Sequence, residues 1–372
     1  MRRSPLASLA FAVLVTGSVT LSSLVGAATP SHFPNASSIS SDGSHVWVAD
    51  SGSRSQPAQT GAVTEISAAN GKIVRIIDAP TDGIINPEVI VSDHTHVWVL
   101  NSNDSITELT AASGALVRVI RAPRYGLRGA YDLVTNGHDV WVTNVTGNSV
   151  TEINALTGAL VRIIKAPADG IRDPHAITTS GGYVWVSEYI VSKSFHLTFA
   201  ITQLTTSGAL VRVITYPKFQ RVNGHLTSVI NGPCAMSAAS GNLWIDSCGL
   251  NLLELSATTG KIENNINTFS GVPQGVTSTY AVGSGASPGL ISDDGTHLWG
   301  TLEHDGYAEL TASTGGFVRR SLGPERRGSK GRAVNQTVSL TSDGVHLWVT
   351  GDDTNSVTEY NAGNGALVRI IK

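Results

Sequence analysis

One short apolar motif recurs along the chain. Seven six-residue segments place a tryptophan between aliphatic neighbours: His45–Asp50 (HVWVAD), His96–Asn101 (HVWVLN), Asp139–Asn144 (DVWVTN), Tyr183–Glu188 (YVWVSE), Asn242–Ser247 (NLWIDS), His297–Leu302 (HLWGTL) and His346–Gly351 (HLWVTG). They hold all seven tryptophans, Trp47, Trp98, Trp141, Trp185, Trp244, Trp299 and Trp348, with spacings of 51, 43, 44, 59, 55 and 49 residues. The 345 residues after position 27 therefore divide into seven units of about 49. A period of that length, with several strands per unit, is the signature of a radial repeat fold.

Turn chemistry resolves each unit into four strands, A to D, with the tryptophan on strand B. Ser41-Asp42-Gly43, Asn136-Gly137, Gly181-Gly182 and Ser342-Asp343-Gly344 precede tryptophan strands, and Gly, Asn and Asp accept the positive φ of a tight hairpin. Strand C, as in Ser149–Asn154, is followed by a turn (Thr157-Gly158) and strand D (Ala159–Lys165). Glycine occupies that second turn in every unit: Gly71, Gly114, Gly158, Gly208, Gly260, Gly315 and Gly365. Seven glycines in one slot indicate a left-handed backbone requirement.

Both faces of the tryptophan strand are apolar, as in Val140, Trp141 and Val142. A sheet with one wet face would alternate, so each sheet must be covered on both sides. Radial packing does this. The predicted fold is all-β, a seven-bladed β-propeller of four-stranded antiparallel blades, with the seven tryptophans as its structural wedges. Each wedged indole, burying about 150–250 Å² at ~25 cal/mol per Å², supplies roughly 4–6 kcal/mol as an upper bound.

Charge follows the same period. Glu65, Glu108, Glu152, Glu309 and Glu359 lie ten residues before Arg75, Arg118, Arg162, Arg319 and Arg369, while unit four has Gln203 with Arg212 and unit five Glu254 with Asn264. These pairs are expected to oppose each other across the C–D hairpin as structural ion pairs, each worth roughly 0.2–1 kcal/mol if exposed. His45, His96, His297 and His346 hold another repeat slot, which argues against a ligand role.

Composition narrows the function classes. Charged residues make up 14% of the chain, with 25 Lys+Arg against 28 Asp+Glu. That balance gives no footprint for nucleic acid or a polybasic membrane patch. Arg2 and Arg3 precede an uncharged run from Pro5 to Ala28 that ends in small residues. This reads as a signal peptide over 1–27, leaving the propeller over 28–372, with a retained membrane anchor as the alternative. The expected product is secreted or held at the cell surface, monomeric, and not membrane-inserted once the signal is removed.

The run VWVTN (140–144) followed by NSVTEINALTGALVRII (148–164) resembles the YVTN-type bacterial β-propeller repeats. It is also similar to the NHL-type and streptogramin-lyase-like propellers, and the likeness covers about 36–372. It implies an extracellular or surface-associated propeller, often without known catalysis. The lyase-like relatives use a metal with His and Glu residues, and that constellation does not map onto numbered positions here.

Cys234 and Cys248 are the only cysteines. One opens strand A of the fifth unit and the other follows its strand B, nearly opposite. In an oxidising compartment this predicts a disulfide closing a 15-residue loop, worth roughly 3 kcal/mol in the chain-entropy model.

The long insertions, Ser51–Thr60, Tyr189–Phe199, Pro217–Ile230, Phe269–Ser287 and Leu322–Gln336, all fall in B–C or D–A connections and so share one face. The last contains Arg326, Arg327, Lys330 and Arg332, read as a solvated loop with a specific anion site as the alternative. Insertions gathered on one face of a repeat scaffold mark the binding side. Ten residues before each tryptophan stand Ser37, Glu88, Tyr131, His175, Cys234, Gly289 and Val338, at the channel mouth on that face.

The leading expectation is a binding module without catalysis or cofactor. Its protein or cell-envelope ligand would meet Glu88, Tyr131, Asp132 and His175. The alternative is a hydrolase or lyase dependent on Ca²⁺ or Mg²⁺, with Asp50, Asn101, Asn144 and Glu188 as ligands near Glu88 and His175. A structural surface-layer role would leave the channel empty. No nucleophile elbow, P-loop or HExxH motif is present.

Overall fold

The tryptophan strands lie second in each of seven four-stranded antiparallel sheets, each taken in chain order A-B-C-D. The computed structural model describes residues 32–52, 61–78, 80–121, 123–165, 170–191, 197–217, 219–222, 225–228, 233–239, 241–246, 251–267, 291–302, 306–321, 337–351 and 355–372. The chain separates into two units, Met1–Pro30 and Ser31–Lys372. The first lies outside the described residues, and with it the predicted signal peptide over 1–27. Residues 53–60, 269–287 and 322–336 (with its four basic side chains), Gly289 and Cys248 also lie outside them.

Strands A run over Ala36–Ser41, Pro87–Ser92, Ala130–Thr135, Pro174–Ser180, Ala235–Ala239, Ile291–Asp293 and Thr337–Ser342. Each touches the strand A of both neighbouring blades, so they form the innermost ring. The ring closes without a shared strand. Blade seven meets blade one through apolar packing and also through hydrogen bonds. The Ser339 hydroxyl accepts from Ile39 N–H at 3.3 Å, and Thr341 accepts from Ser41 N–H at 3.3 Å. The same device joins blade one to two, where Ser38 and Ser40 accept from Ile90 and Ser92.

Trp47, Trp98, Trp141, Trp185, Trp244, Trp299 and Trp348 are each 0% exposed, as the wedge role requires. Each packs into the following blade, giving one apolar cluster per seam. Trp47 lies with Ile90, Val97 and Val99, Trp98 with Leu133, Val140 and Val142, and Trp141 with Ile177, Val184 and Val186. Trp185 meets Met236, Leu243 and Ile245, and Trp244 meets Ile291 and Leu298. Trp299 packs with Leu340, Leu347 and Val349, and Trp348 with Ile39, Val46 and Val48.

The indole N–H groups divide unevenly. Trp244 donates to Ala312 O at 3.2 Å. Among the described residues, those of Trp47, Trp98, Trp141, Trp185, Trp299 and Trp348 are buried without an acceptor. An unmet buried donor costs about 1–3 kcal/mol, so these six stabilise their seams by less than area alone implies.

Register carries the indole row outward. Each tryptophan pairs across B–C with the repeat glutamate (Gln203 in blade four), which pairs across C–D with its arginine or, in blade five, Asn264. Directly paired residues share a sheet face, so the whole row points at the next blade. The ion pairs form as expected, with Arg Nε 2.6–2.8 Å from the carboxylate in all five blades. Their setting differs from the expectation, because the glutamates are buried and the values for exposed pairs do not apply. Burial outweighs the arginine and pushes Glu108 and Glu152 up to about 7. Where the histidines are present, Nδ1 lies 3.1–3.6 Å from Asp42, Asp93, Asp294 or Asp343, confirming their structural slot.

The repeat arginines also cross the seam. Arg118 donates to Leu156 O (3.2 Å), Arg212 to Ala257 O and Thr258 O (both 2.9 Å), and Arg319 to Gly363 O (2.7 Å). Each lies on the next blade's C–D turn, and this adds a second reason for its glycine. A Cβ on Gly208, at φ +78°, would stand 2.7 Å from Arg162 Cδ. Gly114 against Arg75 and Gly365 against Arg319 are alike, and Gly71 against Arg369 completes the circle.

Gly208→Ala is therefore expected to cost the left-handed penalty of about 1–2 kcal/mol plus roughly 1 kcal/mol for the displaced arginine. Gly137→Ala, also at positive φ but with nothing within 4 Å of its Cβ, should cost only the first part. Chemical denaturation of both, repeated in an Arg162→Ala background, checks this: the extra cost at 208 should vanish there.

Candidate functional site

Strand A begins irregularly at the mouth of the channel. Register slips between Ala36 and Ser38, Pro87 and Val89, Pro174 and Ile177, and Thr337 and Ser339, and in blade three opposite Thr143/Asn144. The extra residues are Ser37, Glu88, Tyr131, His175 with Ala176, and Val338. Five of the seven mouth positions read from the sequence are thus β-bulges, which leave a residue off the ladder and re-aim its side chain. Cys234 is different. Its N–H donates to Asp246 O at 2.9 Å, and Ala235 continues the ladder without a slip.

The bulges bring Tyr131 and His175 together across the seam between blades three and four, with ring centroids 4.8 Å apart. His175 also meets Tyr189 at 4.4 Å, and Tyr189 meets Phe199 at 5.2 Å. Tyr189 and Phe199 belong to the insertion expected in blade four. It lengthens strands B and C to nine residues each, Tyr183–Val191 and Leu197–Thr205. The imidazole is oriented by its neighbour: Nδ1 lies 2.9 Å from Asp173 O. A carbonyl only accepts, so Nδ1 carries a proton in this hydrogen bond. Glu88 is exposed on blade two, and partial burial together with the Asp104 charge raises its carboxyl. The Tyr189 hydroxyl is pushed up to about 12 by burial and by Asp173 and Asp246.

Asp132 does not join this group. It sits nine residues before Trp141, where blades one and seven carry Ser38 and Ser339, and it does their work. Oδ2 accepts from Ile177 N–H of blade four at 2.9 Å, and Oδ1 from Leu133 N–H at 2.8 Å. Full burial pushes its carboxyl up to about 7 against those two hydrogen bonds.

Of the four residues of the metal alternative, Asp50, Asn101 and Glu188 hold the segment leading into their own blade or out of it, and Asn144 ties strand B of blade three to its strand C. Asp50 accepts from Asn35 N–H (3.3 Å) and Gly52 N–H (2.8 Å). Asn101 accepts from Ile85 N–H (2.9 Å) and donates to Thr107 Oγ1 (3.0 Å). Asn144 donates to Thr151 Oγ1 at 3.0 Å. Glu188 accepts from Arg172 N–H at 3.1 Å, with the Thr202 hydroxyl beside its carboxylate. Each of the four is thus hydrogen-bonded within or beside its own blade. Among the described residues, no group of three His, Cys, Asp or Glu side chains is placed to hold a metal ion.

Tyr189 is the member of the aromatic group that spacing did not single out. The available signal was an aromatic directly after Glu188, at the start of an insertion that keeps strand-forming residues on both arms.

No family model and no curated protein sequence matches the chain. Solved structures do match. Hydrazine synthase of Kuenenia stuttgartiensis is similar at a TM-score of 0.62 and 12% identity, over 91% of this chain and 98% of that one. The computationally designed Ika8 protein gives 0.56 and 9%, over 91% and 87%. Streptogramin B lyase gives 0.54 and 16%, over 86% and 92%. At these identities the likeness is one of fold. The resemblance to streptogramin-lyase-like propellers expected from the sequence holds at that level.

Glu188 supplies a pH test. Burial is the largest cause of its rise from the usual 4.5 to about 7, against the Thr202 hydroxyl and the Arg172 N–H and guanidinium. A folded-state value above the unfolded one means the folded chain binds the proton more tightly, so stability falls as pH climbs from about 4.5 to about 7. Glu188→Gln supplies the amide that Asn101 uses in blade two. It should stabilise the protein at pH 8 by about 2–3 kcal/mol and do little at pH 4. Urea unfolding at the two pH values measures this.

Proposed function

We propose that the chain is an exported, non-catalytic binding propeller whose protein or cell-envelope ligand seats at the channel mouth over blades two to four. The observation that carries this reading is the bulge at the start of strand A. It takes Glu88, Tyr131 and His175 out of the ladder at one rim, while Asp132, Asp50, Asn101 and Glu188 at neighbouring positions are committed to backbone N–H groups. Bulges of this kind gather at barrel rims and beside functional sites. The lengthened hairpin of blade four adds Tyr189 to the same wall. Binding surfaces combine such aromatic anchors with a few polar groups.

The test is an array of peptides and cell-envelope glycans probed with the purified protein. Tyr131→Ala/His175→Ala should lose the wild-type signals while its thermal midpoint stays within a few degrees. Signals that survive the double substitution would place the binding surface elsewhere.

Export and an oxidised Cys234–Cys248 pair belong to the same reading. No described cysteine is free, and the Cys234 N–H bond to Asp246 O puts Cys234 beside the end of strand B, two residues before Cys248. Thiol titration of unreduced, unfolded protein should find no reactive thiol, and two would refute the pair. Cys234→Ser/Cys248→Ser is expected to lose about 3 kcal/mol.

A further inference from the structure

One bond recurs between neighbouring blades in the inner ring. In blades seven, one and three, the side chain nine residues before the tryptophan accepts a backbone N–H from strand A of the next blade. Ser339 accepts from Ile39 at 3.3 Å, Ser38 from Ile90 at 3.2 Å, and Asp132 from Ile177 at 2.9 Å. The register is the same in each: Ser339 pairs with Thr350, Ser38 with Ala49 and Asp132 with Thr143. A serine hydroxyl keeps its charge near neutral pH, and a carboxyl does not. Of these three seams, only the one between blades three and four is therefore built on a group that takes up a proton.

Asp132 is buried, with Oδ2 on Ile177 N–H and Oδ1 on Leu133 N–H at 2.8 Å. The strands packed around it carry Glu88, His96, Asp139 and His175 as ionisable groups. Tyr131 stands beside it on its own strand, and Asp93 lies at that strand's far end, 3.5 Å from Thr135. None of these charges acts on Asp132, whose carboxyl is raised by burial against its two N–H bonds alone. A buried charge held only by hydrogen bonds is costly, and opening the seam would return it to water. Protonation removes that cost without breaking the seam. Ile177 N–H needs a single acceptor, which the carbonyl oxygen of the neutral acid still provides.

We propose that the bond from Ile177 to Asp132 is a proton-operated joint, holding the seam between blades three and four shut while the carboxyl is neutral and loosening it when the carboxyl ionises. Asp132 is next to Tyr131, and Ile177 is two residues beyond His175, so loosening parts the ring pair whose centroids lie 4.8 Å apart. A carboxyl raised in the closed state from 3.8 to about 7 favours closure fully below about 3.8, and that advantage is lost as pH rises to about 7. The joint operates whether or not a ligand seats at the mouth.

Amide hydrogen exchange of the full purified chain at pH 5 and pH 7.5, corrected for intrinsic exchange, reads the joint at three equivalent N–H groups. Protection of Ile177 is expected to fall about tenfold or more at the higher pH, while Ile39 and Ile90, bonded to hydroxyls, change by less than about threefold. Asp132→Ser copies the acceptor of blades one and seven and should bring Ile177 into line with the other two. Equal behaviour of the three amides in the unaltered protein overturns the proposal. So does an excess loss at Ile177 that survives Asp132→Ser; if Glu188→Gln abolishes that loss, the titrating group is Glu188 instead. A carbon-13 titration of the Asp132 carboxyl in the unaltered protein needs no variant to fold. A midpoint near 7 is expected, and one below about 5 refutes the joint.

Discussion

A single blade of this protein cannot bury its own tryptophan. The indole stands on the sheet face that looks toward the next blade, and only that blade's strands cover it. The same is true of every other group in its row. The residue opposite it on strand A offers an acceptor to the next strand A in several blades, and the arginine on strand D lies over the next C–D turn. All these contacts run one way around the ring. A chain built on such rules has no natural last blade, because the outward face of the last one needs a partner as much as the others. Trp348, Ser339 and Thr341 find it on blade one, and Arg369 finds it at Gly71. That explains how the circle closes without a strand exchanged between the termini.

The glutamate–arginine pairs read differently once their burial is known. A buried carboxylate gives up hydration that one arginine at 2.6–2.8 Å does not fully replace, and the raised carboxyls of Glu108 and Glu152 express the shortfall. Their value lies more in placement than in net stabilisation. With Nε held by its own glutamate, the guanidinium has its remaining N–H groups available for the carbonyls of the neighbouring turn. The pair therefore fixes the rotation of one blade against the next. Blade five, with Asn264, keeps the bond to Glu254 but spans the seam with a single 3.3 Å contact to Thr314 O.

How much could be read in advance follows from the same geometry. The blade count, strand order and register were legible because Trp141, Glu152, Arg162 and Gly158 each recur at a fixed offset, and a repeat is a pattern in one dimension. The roles of Asp132 and Glu188 were not. Asp132 looks like a free carboxylate at the mouth until Ile177 is seen to donate to it, and Ile177 is 45 residues away. Glu188 takes its place when aligned with Asn101, which performs the same loop-holding task with an amide. Spacing predicts which residues share a slot, but the partner that occupies a side chain belongs to another blade or another loop.

Function in a pseudo-symmetric ring has to come from what breaks the symmetry. Sevenfold-repeated groups present the same chemistry in every direction and are consumed in holding neighbours, so they cannot select an asymmetric ligand. The mouth ring meets the opposite condition. The bulge is retained while its side chain changes from Ser37 to Glu88, Tyr131, His175 and Val338. A bulge removes the residue from ladder pairing, which frees its identity from the packing rules of the sheet. The fold thus supplies, at the start of five of the strands A, a position whose backbone is fixed and whose chemistry is unconstrained. Blades two to four fill theirs with charge and aromatic surface, and blade four extends its hairpin beside them. The scaffold's regularity is what makes that departure legible.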